Sequence, residues 1–157
     1  MDAPSSPGPP LTPQIESPSV SRPASFVSSS VELNLVTAGS PVPVTARLSY
    51  DPSDPFAVSV SMRTEGSPTV DWVVSRELLA AGLLTPSGDG DIGVWPSTSR
   101  SAEVVCISLS SPDGQALLYG QHADVAAFLD RTFVEVPAGA ESELIDLDAL
   151  VEHLLRA

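Results

Sequence analysis

The sequence predicts an α+β fold in which two antiparallel β-meanders flank a short helix and are followed by C-terminal helices. Three observations predict it. Apolar and polar residues alternate over several short segments, which is typical of strands with one buried face. Turn sequences rich in Gly, Pro, Ser and Asp separate these segments, so consecutive strands are expected to pair antiparallel. Elsewhere the apolar period changes to three or four residues, which indicates helices.

The first predicted meander contains four strands. Alternating apolar residues mark the first three, namely Val31, Leu33 and Leu35, then Val42, Val44, Ala46 and Leu48, then Phe56, Val58, Val60 and Met62. Residues 69–74 form the fourth strand. Turn sequences at 38–41, 51–55 and 65–68 connect them, so each strand is expected to pair with the next one.

A short helix and a second meander follow. Ser75 is predicted to cap a helix over residues 76–81, and Gly82 is predicted to end it. The apolar stripe of this helix consists of Leu78, Leu79 and Leu83. After a Gly-rich turn at 85–90, strands are predicted at 91–95, 104–109 and 115–119. The second meander thus has three or four strands, and the two meanders predict two sheets of about four strands each, packed on each other.

Two helices are predicted at the C-terminal end. Val125, Phe128 and Leu129 share one face of the first. Asp146 caps the last one. Its apolar residues recur at spacings of three and four, at Leu147, Leu150, Val151, Leu154 and Leu155.

The domain organisation follows from composition. Seven of the 16 prolines lie in the first 25 residues, together with many serines and few apolar residues. Such a segment buries too little surface to offset its ordering entropy. We therefore expect a disordered tail over 1–25, either passive or carrying a short partner-binding motif, and one folded domain over 26–157.

The charge excludes some classes of function. Twenty acidic residues against seven arginines give a net charge of −13. Phosphate contacts and docking on anionic lipid both need clustered basic residues, so neither a nucleic-acid partner nor such docking is expected. The longest apolar stretch, at 78–84, is far shorter than the roughly 20 residues that span a bilayer, so direct membrane insertion is not expected either. The N-terminus has no export signal, and we expect a cytoplasmic protein.

Candidate catalytic residues are few, and no enzymatic activity is expected. Cys106 lies in an apolar strand, where a buried structural thiol is expected and a nucleophile is not. His122 begins a predicted helix, and His153 lies on the last one without a neighbouring ligand. No metal or cofactor is predicted, because Asp89 and Asp91 lack the ligand rhythm of a calcium loop. Asp146 and Asp148 are explained by helix capping.

Six sequence blocks carry a family resemblance. They are LSYDPSDPFAV at 48–58, VDWVVSRELL at 70–79, GDIGVWP at 90–96, VVCISLSSPDG at 104–114, FLDRT at 128–132 and VPAG at 136–139. In this order and spacing the chain resembles the SsgA-like proteins of sporulating actinobacteria over residues 27–157. The Pro/Ser-rich tail departs from that pattern.

The resemblance implies a non-enzymatic adaptor in sporulation-specific cell division. Such proteins mark septum sites and help to recruit the tubulin-like division protein FtsZ. The resemblance further implies a Whirly-like fold and a homo-oligomer, with a trimer favoured, that works with other SsgA-like proteins at division septa. The alternatives are a factor for septum and cell-wall maturation that does not contact FtsZ, and a Whirly-like binder of single-stranded nucleic acid. The last would need Arg47, Arg63 and Arg100 on one face, with Tyr50 or Trp72 exposed for stacking.

Candidate partner-binding residues lie in loops, which often carry recognition on a rigid scaffold. Gly139 is the first, because glycine permits a backbone geometry or close approach that a side chain blocks. Asp51 and Asp54, flanked by prolines, are the second group, and Arg76 and Glu77 the third. A surface ion pair of Arg76 with Glu77 or Asp71 is expected to contribute little stability. Trp72 and Trp95 are expected in the core or at its edge.

Overall fold

The computed structural model describes residues 24–144 and contains eight strands and two helices. The strands are β1 (Val27–Leu35), β2 (Val42–Tyr50), β3 (Ala57–Arg63), β4 (Val70–Ser75), β5 (Ser87–Asp89), β6 (Ile92–Ser99), β7 (Ala102–Ser111) and β8 (Gly114–Gln121). The helices are α1 (Arg76–Gly82) and α2 (His122–Glu135), followed by a 3-10 helix over Glu141–Leu144. The predicted tail and the last predicted helix, with Asp146, Asp148 and His153, lie outside the described residues.

The two meanders form one continuous antiparallel sheet, in the order β4-β3-β2-β1-β8-β7-β6-β5. The prediction of two separate sheets is therefore wrong, because β1 pairs with β2 on one side and β8 on the other. The β1–β8 joint is short and runs only from Leu33↔Gly120 to Leu35↔Leu118. Turn sequences reveal which neighbours pair within a meander, whereas this long-range pairing has no local signal. The sheet curls into a half-barrel, and its likeness to the Whirly fold stays a prediction.

Both helices pack on one face of the sheet, which we call the inner face. Leu78 and Leu79 from α1 and Phe128 and Leu129 from α2 join the inward strand residues in a single hydrophobic core. Burial of these apolar side chains supplies the main driving force for folding. The opposite, outer face carries neither helix, since α1 and α2 belong to the core cluster of the inner face.

Helix α1 begins and ends close to the predicted residues. The Oγ of Ser75 accepts a hydrogen bond from the backbone N–H of Leu78 at 3.1 Å, which confirms the predicted N-cap. Gly82 is the last residue of α1, and packing against β6 requires glycine at this position. A Cβ at Gly82 would overlap the side chain of Val94 and lie 2.9 Å from the Val94 carbonyl oxygen. Glycine therefore lets α1 approach β6 closely.

Helix α2 also follows its prediction. It begins at His122, and Val125, Phe128 and Leu129 are buried on one side. The Nε2 of His122 lies 2.9 Å from the carbonyl oxygen of Leu83, so the start of α2 contacts the residue that follows α1. Of the helices between residues 24 and 144, none has the length and hydropathy needed to cross a bilayer.

The second meander differs from its prediction in one strand. Residues 87–89, predicted as part of a Gly-rich turn, form β5 and pair with β6 through Ser87↔Val94 to Asp89↔Ile92. Strand β6 also runs past Trp95 to Ser99. Pro96 is tolerated there because β5 ends before reaching it, so its missing N–H breaks no ladder.

Cys106, predicted to be buried, and Trp95, predicted in the core or at its edge, both lie half-buried on the outer face. Val105 and Ile107 belong to the core, so strand alternation places Cys106 on the opposite side of β7. Cys106 pairs with Trp95 on β6 and with Tyr119 on β8, and all three are half-buried. We call Trp95, Cys106 and Tyr119 the outer row. Trp72, in contrast, packs against the core as predicted.

Candidate protein-contact site

Three groups of predicted contact residues meet at one end of the half-barrel. Strand β2 ends and β3 begins at the loop that holds Asp51 and Asp54, and β4 leads there into Arg76 and Glu77. The backbone N–H of Arg76 donates to the carbonyl oxygen of Phe56 at 2.8 Å, which joins this loop to α1. The Arg76 guanidinium contacts the segment that follows α2. We call residues 51–56, 76–77 and 136–141 the loop end.

Arg76 is buried, with 1% of its surface exposed, and does not form the predicted surface ion pair. Its ionic partner is Glu141, whose Oε2 accepts a hydrogen bond from Nη2 at 2.8 Å. A buried cation is costly unless it is paired and hydrogen-bonded. Arg76 therefore organises the loop end from inside and has almost no surface to offer a partner.

The guanidinium of Arg76 also closes the C-terminus of α2. Its Nη1 donates to the carbonyl oxygens of Val136 at 2.8 Å and Thr132 at 3.2 Å. The last carbonyls of a helix have no partner within the helix, and a cation there interacts favourably with the helix dipole. Among the described residues, the Nε of Arg76 has no hydrogen-bond partner. The contacts of this side chain thus fix the end of α2 against the first meander.

Two aromatic rings enclose the same guanidinium. Its central carbon lies 4.1 Å from the centre of the Phe133 ring and 4.9 Å from that of Tyr50. Both distances are within the range of a cation–π interaction. Burial raises the pKa of Tyr50, and the neighbouring positive charge of Arg76 partly opposes this. Tyr50 therefore stays neutral, and its hydroxyl donates to the carbonyl oxygen of Pro55 at 3.0 Å.

Glu141 is the residue of this site that the sequence analysis missed. Its Oε1 accepts a hydrogen bond from the backbone N–H of Gly139 at 2.9 Å, while Oε2 accepts from Arg76. The hydrogen bond from Arg76 is the main reason why the pKa of Glu141 lies below its ordinary value. No local pattern points to Glu141, because its partner is 65 positions away in the sequence.

Gly139 has a backbone geometry that favours glycine, as predicted. Its φ is +89°, in the left-handed region that favours glycine. An added Cβ would meet nothing within 4 Å, so the residue faces open space and no close neighbour. Its geometry turns the chain so that Glu141 reaches back toward Arg76. Its role in partner binding stays a prediction.

The remaining candidates are exposed carboxylates at the same end. Asp51 accepts hydrogen bonds from the backbone N–H and the hydroxyl of Ser53, at 2.9 and 2.8 Å, and these lower its pKa. Asp54 is exposed in the same loop, and Glu77 is exposed in the first turn of α1. The loop end therefore presents negative charge to solvent. The sequence predicted these positions but not that they share one end of the molecule.

The arrangement required for nucleic-acid stacking is not formed. Arg47 and Arg63 lie on neighbouring strands, where they pair with Ser61 and Thr45. Arg100 lies in the β6–β7 turn, in the other half of the sheet. Tyr50 is fully buried, and Trp72 packs against the core. The structure thus gives no support to the single-stranded nucleic-acid alternative.

The described titratable residues do not form a metal-binding group. In the range 24–144, no group of three His, Cys, Asp or Glu side chains is placed to hold a metal. Burial raises the pKa of the Cys106 thiol, which disfavours the thiolate that a nucleophile requires. His122, the described histidine, contacts a backbone carbonyl at the α1–α2 junction.

The family model and the similar proteins all point to the same family. The model of the family described as Streptomyces sporulation and cell division protein, SsgA, matches residues 44–141. The sporulation-specific cell division protein SsgB of Streptomyces coelicolor is 47% identical over 130 residues, covering 82% of this chain and 95% of the relative. SsgB of Frankia casuarinae is 46% identical over 121 residues, covering 77% of this chain and 85% of the relative.

Solved structures share the fold. A structure from a study of SsgB mutations and longitudinal cell division in sporulating Streptomyces coelicolor has 45% identity and a TM-score of 0.74. It covers 80% of this chain and 99% of that one. The SsgA-like protein of Thermobifida fusca has 39% identity and a TM-score of 0.76, covering 85% and 98%. The chain belongs to the SsgA family of sporulation and cell division proteins, as its six sequence blocks predicted.

Proposed function

We propose that this chain is a non-enzymatic adaptor of cell division during sporulation. It marks septum sites and recruits or regulates division and cell-wall machinery through protein contacts. Its partners on this proposal are an FtsZ-like division protein and other SsgA-like proteins, and its place is the cytoplasmic side of division septa. The family and the names of its relatives support the role in sporulation division.

One observation supports the loop end as the contact surface. The exposed candidates Asp51, Asp54, Glu77 and Gly139 lie together at the loop end, although they come from three separate parts of the sequence. The buried Arg76 holds these parts in fixed positions through α2 and Glu141. A surface that is already ordered loses little conformational entropy on binding, which favours recognition.

Live-cell imaging tests the adaptor role. A functional fluorescent fusion is followed in sporulating hyphae together with labelled FtsZ. We expect regular ladders that form at or before FtsZ assembly. Signal that reaches septa only after closure would instead favour septum and wall maturation. Diffuse or nucleoid-centred signal would contradict the division role altogether.

A homo-oligomer, with a trimer favoured, is the second part of the proposal. The outer row of Trp95, Cys106 and Tyr119 supports it, because these half-buried side chains form an apolar row on the sheet face that neither α1 nor α2 covers. The row carries no charge, so two acidic chains meet less repulsion there than across carboxylates.

Light scattering on the full chain measures the oligomeric state. We expect Tyr119→Glu to dissociate the oligomer. Ser40→Glu adds the same charge at an exposed position of the β1–β2 turn and should leave the oligomer intact. A monomeric wild-type chain, or an unchanged Tyr119→Glu oligomer, would remove this part of the proposal.

A further inference from the structure

We propose that Phe56 is the anchor by which the loop end binds a cationic, apolar segment of its protein partner. The inference rests on the proposed function, since it names the chemistry of the partner that the adaptor contacts. Phe56 lies directly before β3, and 49% of its surface is exposed.

The loop that carries Phe56 is fixed on both sides. The hydroxyl of Tyr50 donates a hydrogen bond to the carbonyl oxygen of Pro55 at 3.0 Å. The backbone N–H of Arg76 donates to the carbonyl oxygen of Phe56 at 2.8 Å. Within the loop, the N–H of Asp54 donates to the carbonyl oxygen of Asp51 at 2.8 Å. Pro55 itself is buried. A fixed backbone beneath an exposed ring lowers the entropy lost when a partner covers the ring.

The exposure of this ring departs from the strand pattern. Alternation from Val58, which is fully buried, predicts that Phe56 points inward, but β3 begins only at Ala57. Of the four phenylalanines in the chain, Phe128 and Phe133 contribute to the core, whereas Phe56 and Phe26 are exposed. Phe26 directly precedes Val27, which pairs with Tyr50, so it lies at the same end of the sheet. Aromatic residues are enriched at protein interfaces, where a buried ring supplies much of the binding energy.

The charge around the ring selects the partner. Asp51, Asp54 and Glu77 are exposed carboxylates on the loop and the adjoining helix turn. Of the two arginines that the structure describes near this loop, Arg76 is buried and Arg131 donates to Ser28 and Ser29. Lys or Arg side chains of a partner would pair with these carboxylates, and an arginine can also stack on the phenylalanine ring. A polyanion such as nucleic acid would be repelled.

Peptide selection on the full chain tests the inference. A display library of random 12-residue peptides is selected on the wild-type protein, and the enriched peptides are synthesised and titrated. We expect sequences that combine Lys or Arg with aliphatic or aromatic residues. Phe56→Ser should weaken their binding at least tenfold, and Asp54→Asn should weaken it less and reduce its dependence on salt concentration.

A matched control distinguishes a specific role of Phe56 from a general effect of removing an exposed apolar side chain. Val73 on β4 is 64% exposed, and Val73→Ser should leave peptide affinity unchanged. Circular dichroism should show that both serine variants are folded at the temperature of the titration. Enrichment of acidic peptides, no enrichment at all, or equal losses from Phe56→Ser and Val73→Ser would each overturn the inference.

Imaging of the fluorescent fusions tests the proposed function separately from the peptide selection. If the wild-type fusion reaches septa and Phe56→Ser does so equally well, the adaptor role stands and the Phe56 anchor falls. If the wild-type fusion does not reach septa, the adaptor role falls, whereas the peptide selection still reports whether Phe56 binds cationic segments.

Discussion

The carboxylate of Glu141 accepts a hydrogen bond from the guanidinium of Arg76 at 2.8 Å, across 65 positions of the sequence. This contact joins the first turn of α1 to the segment that follows α2. It also places Gly139, whose N–H donates to the same carboxylate, next to the loop end. Much of the order of this surface therefore depends on one buried arginine.

Replacing Arg76 should be strongly destabilising. In Arg76→Met the carbonyl oxygens of Thr132 and Val136 lose a donor, and Glu141 loses its cation. Breaking a buried pair by removing one partner costs about 3–5 kcal/mol, and we expect a loss near the lower limit because Glu141 is partly exposed. Urea unfolding measures the change. Arg47→Met, at an exposed position, should stay within about 0.5 kcal/mol of wild type.

The Arg76–Glu141 pair should make stability depend on pH. The pKa of Glu141 is lower in the folded protein than its ordinary value, chiefly through the hydrogen bond from Arg76. Its contribution is therefore present at neutral pH and is lost as the pH falls through the lowered folded pKa. In urea unfolding between about pH 7 and about pH 3, wild type should lose more stability than Glu141→Gln. Parallel curves for the two proteins would contradict this assignment.

Gly139→Arg should fold and yet lose partner binding. The residue has a φ of +89° and open space around it, so the substitution adds strain of about 1–2 kcal/mol without a clash. Gly66 is a matched control, because its φ is +79° and its surroundings are equally open, in the β3–β4 turn at the opposite end. Imaging of both fusions should show that only Gly139→Arg leaves the septa. Normal localisation of this variant would remove Gly139 from the contact site.

Gly82→Ala should lower stability although alanine favours helices. The added Cβ would overlap the side chain of Val94, and overpacking of this kind costs about 1–3 kcal/mol. Gly39→Ala is the control, since a Cβ at Gly39 would meet nothing within 4 Å and its effect should be near zero or slightly favourable. Thermal unfolding of the two variants decides whether close approach of α1 to β6 requires glycine.

Strand periodicity was sufficient to predict much of the fold. Alternation in β1, β2 and β3 placed Leu33, Ala46 and Val60 correctly in the core. It was not sufficient in β7, where Val105, Cys106 and Ile107 form a continuous apolar run. Such a run indicates burial on both faces, whereas Cys106 lies on the outer face between Trp95 and Tyr119. Only the placement of the helices decides which face is covered.

The candidate site was predictable in its loops but not in its interior. Pro and Gly marked the exposed turns that hold Asp51 and Gly139, because turn chemistry is local. The partner of Arg76 had to be chosen among 20 acidic residues, and sequence proximity favoured Asp71 and Glu77. The structure instead selects Glu141, because the end of α2 lies beside the start of α1. Long-range ionic pairing leaves no periodic signal for a sequence analysis to use.

The short β1–β8 joint has a consequence for how the chain reaches its native state. Within each meander every strand pair joins strands that are consecutive in sequence, so each half contains its own local hairpins and is expected to form quickly. The halves then meet through three residue pairs, at Leu33↔Gly120, Asn34↔Tyr119 and Leu35↔Leu118, and through the two helices. We therefore expect the seam between the halves to form after the hairpins of each half and to open before them. Transient separation along it would expose the inner apolar faces, so the rate of its closure limits how long a newly made chain stays prone to aggregation.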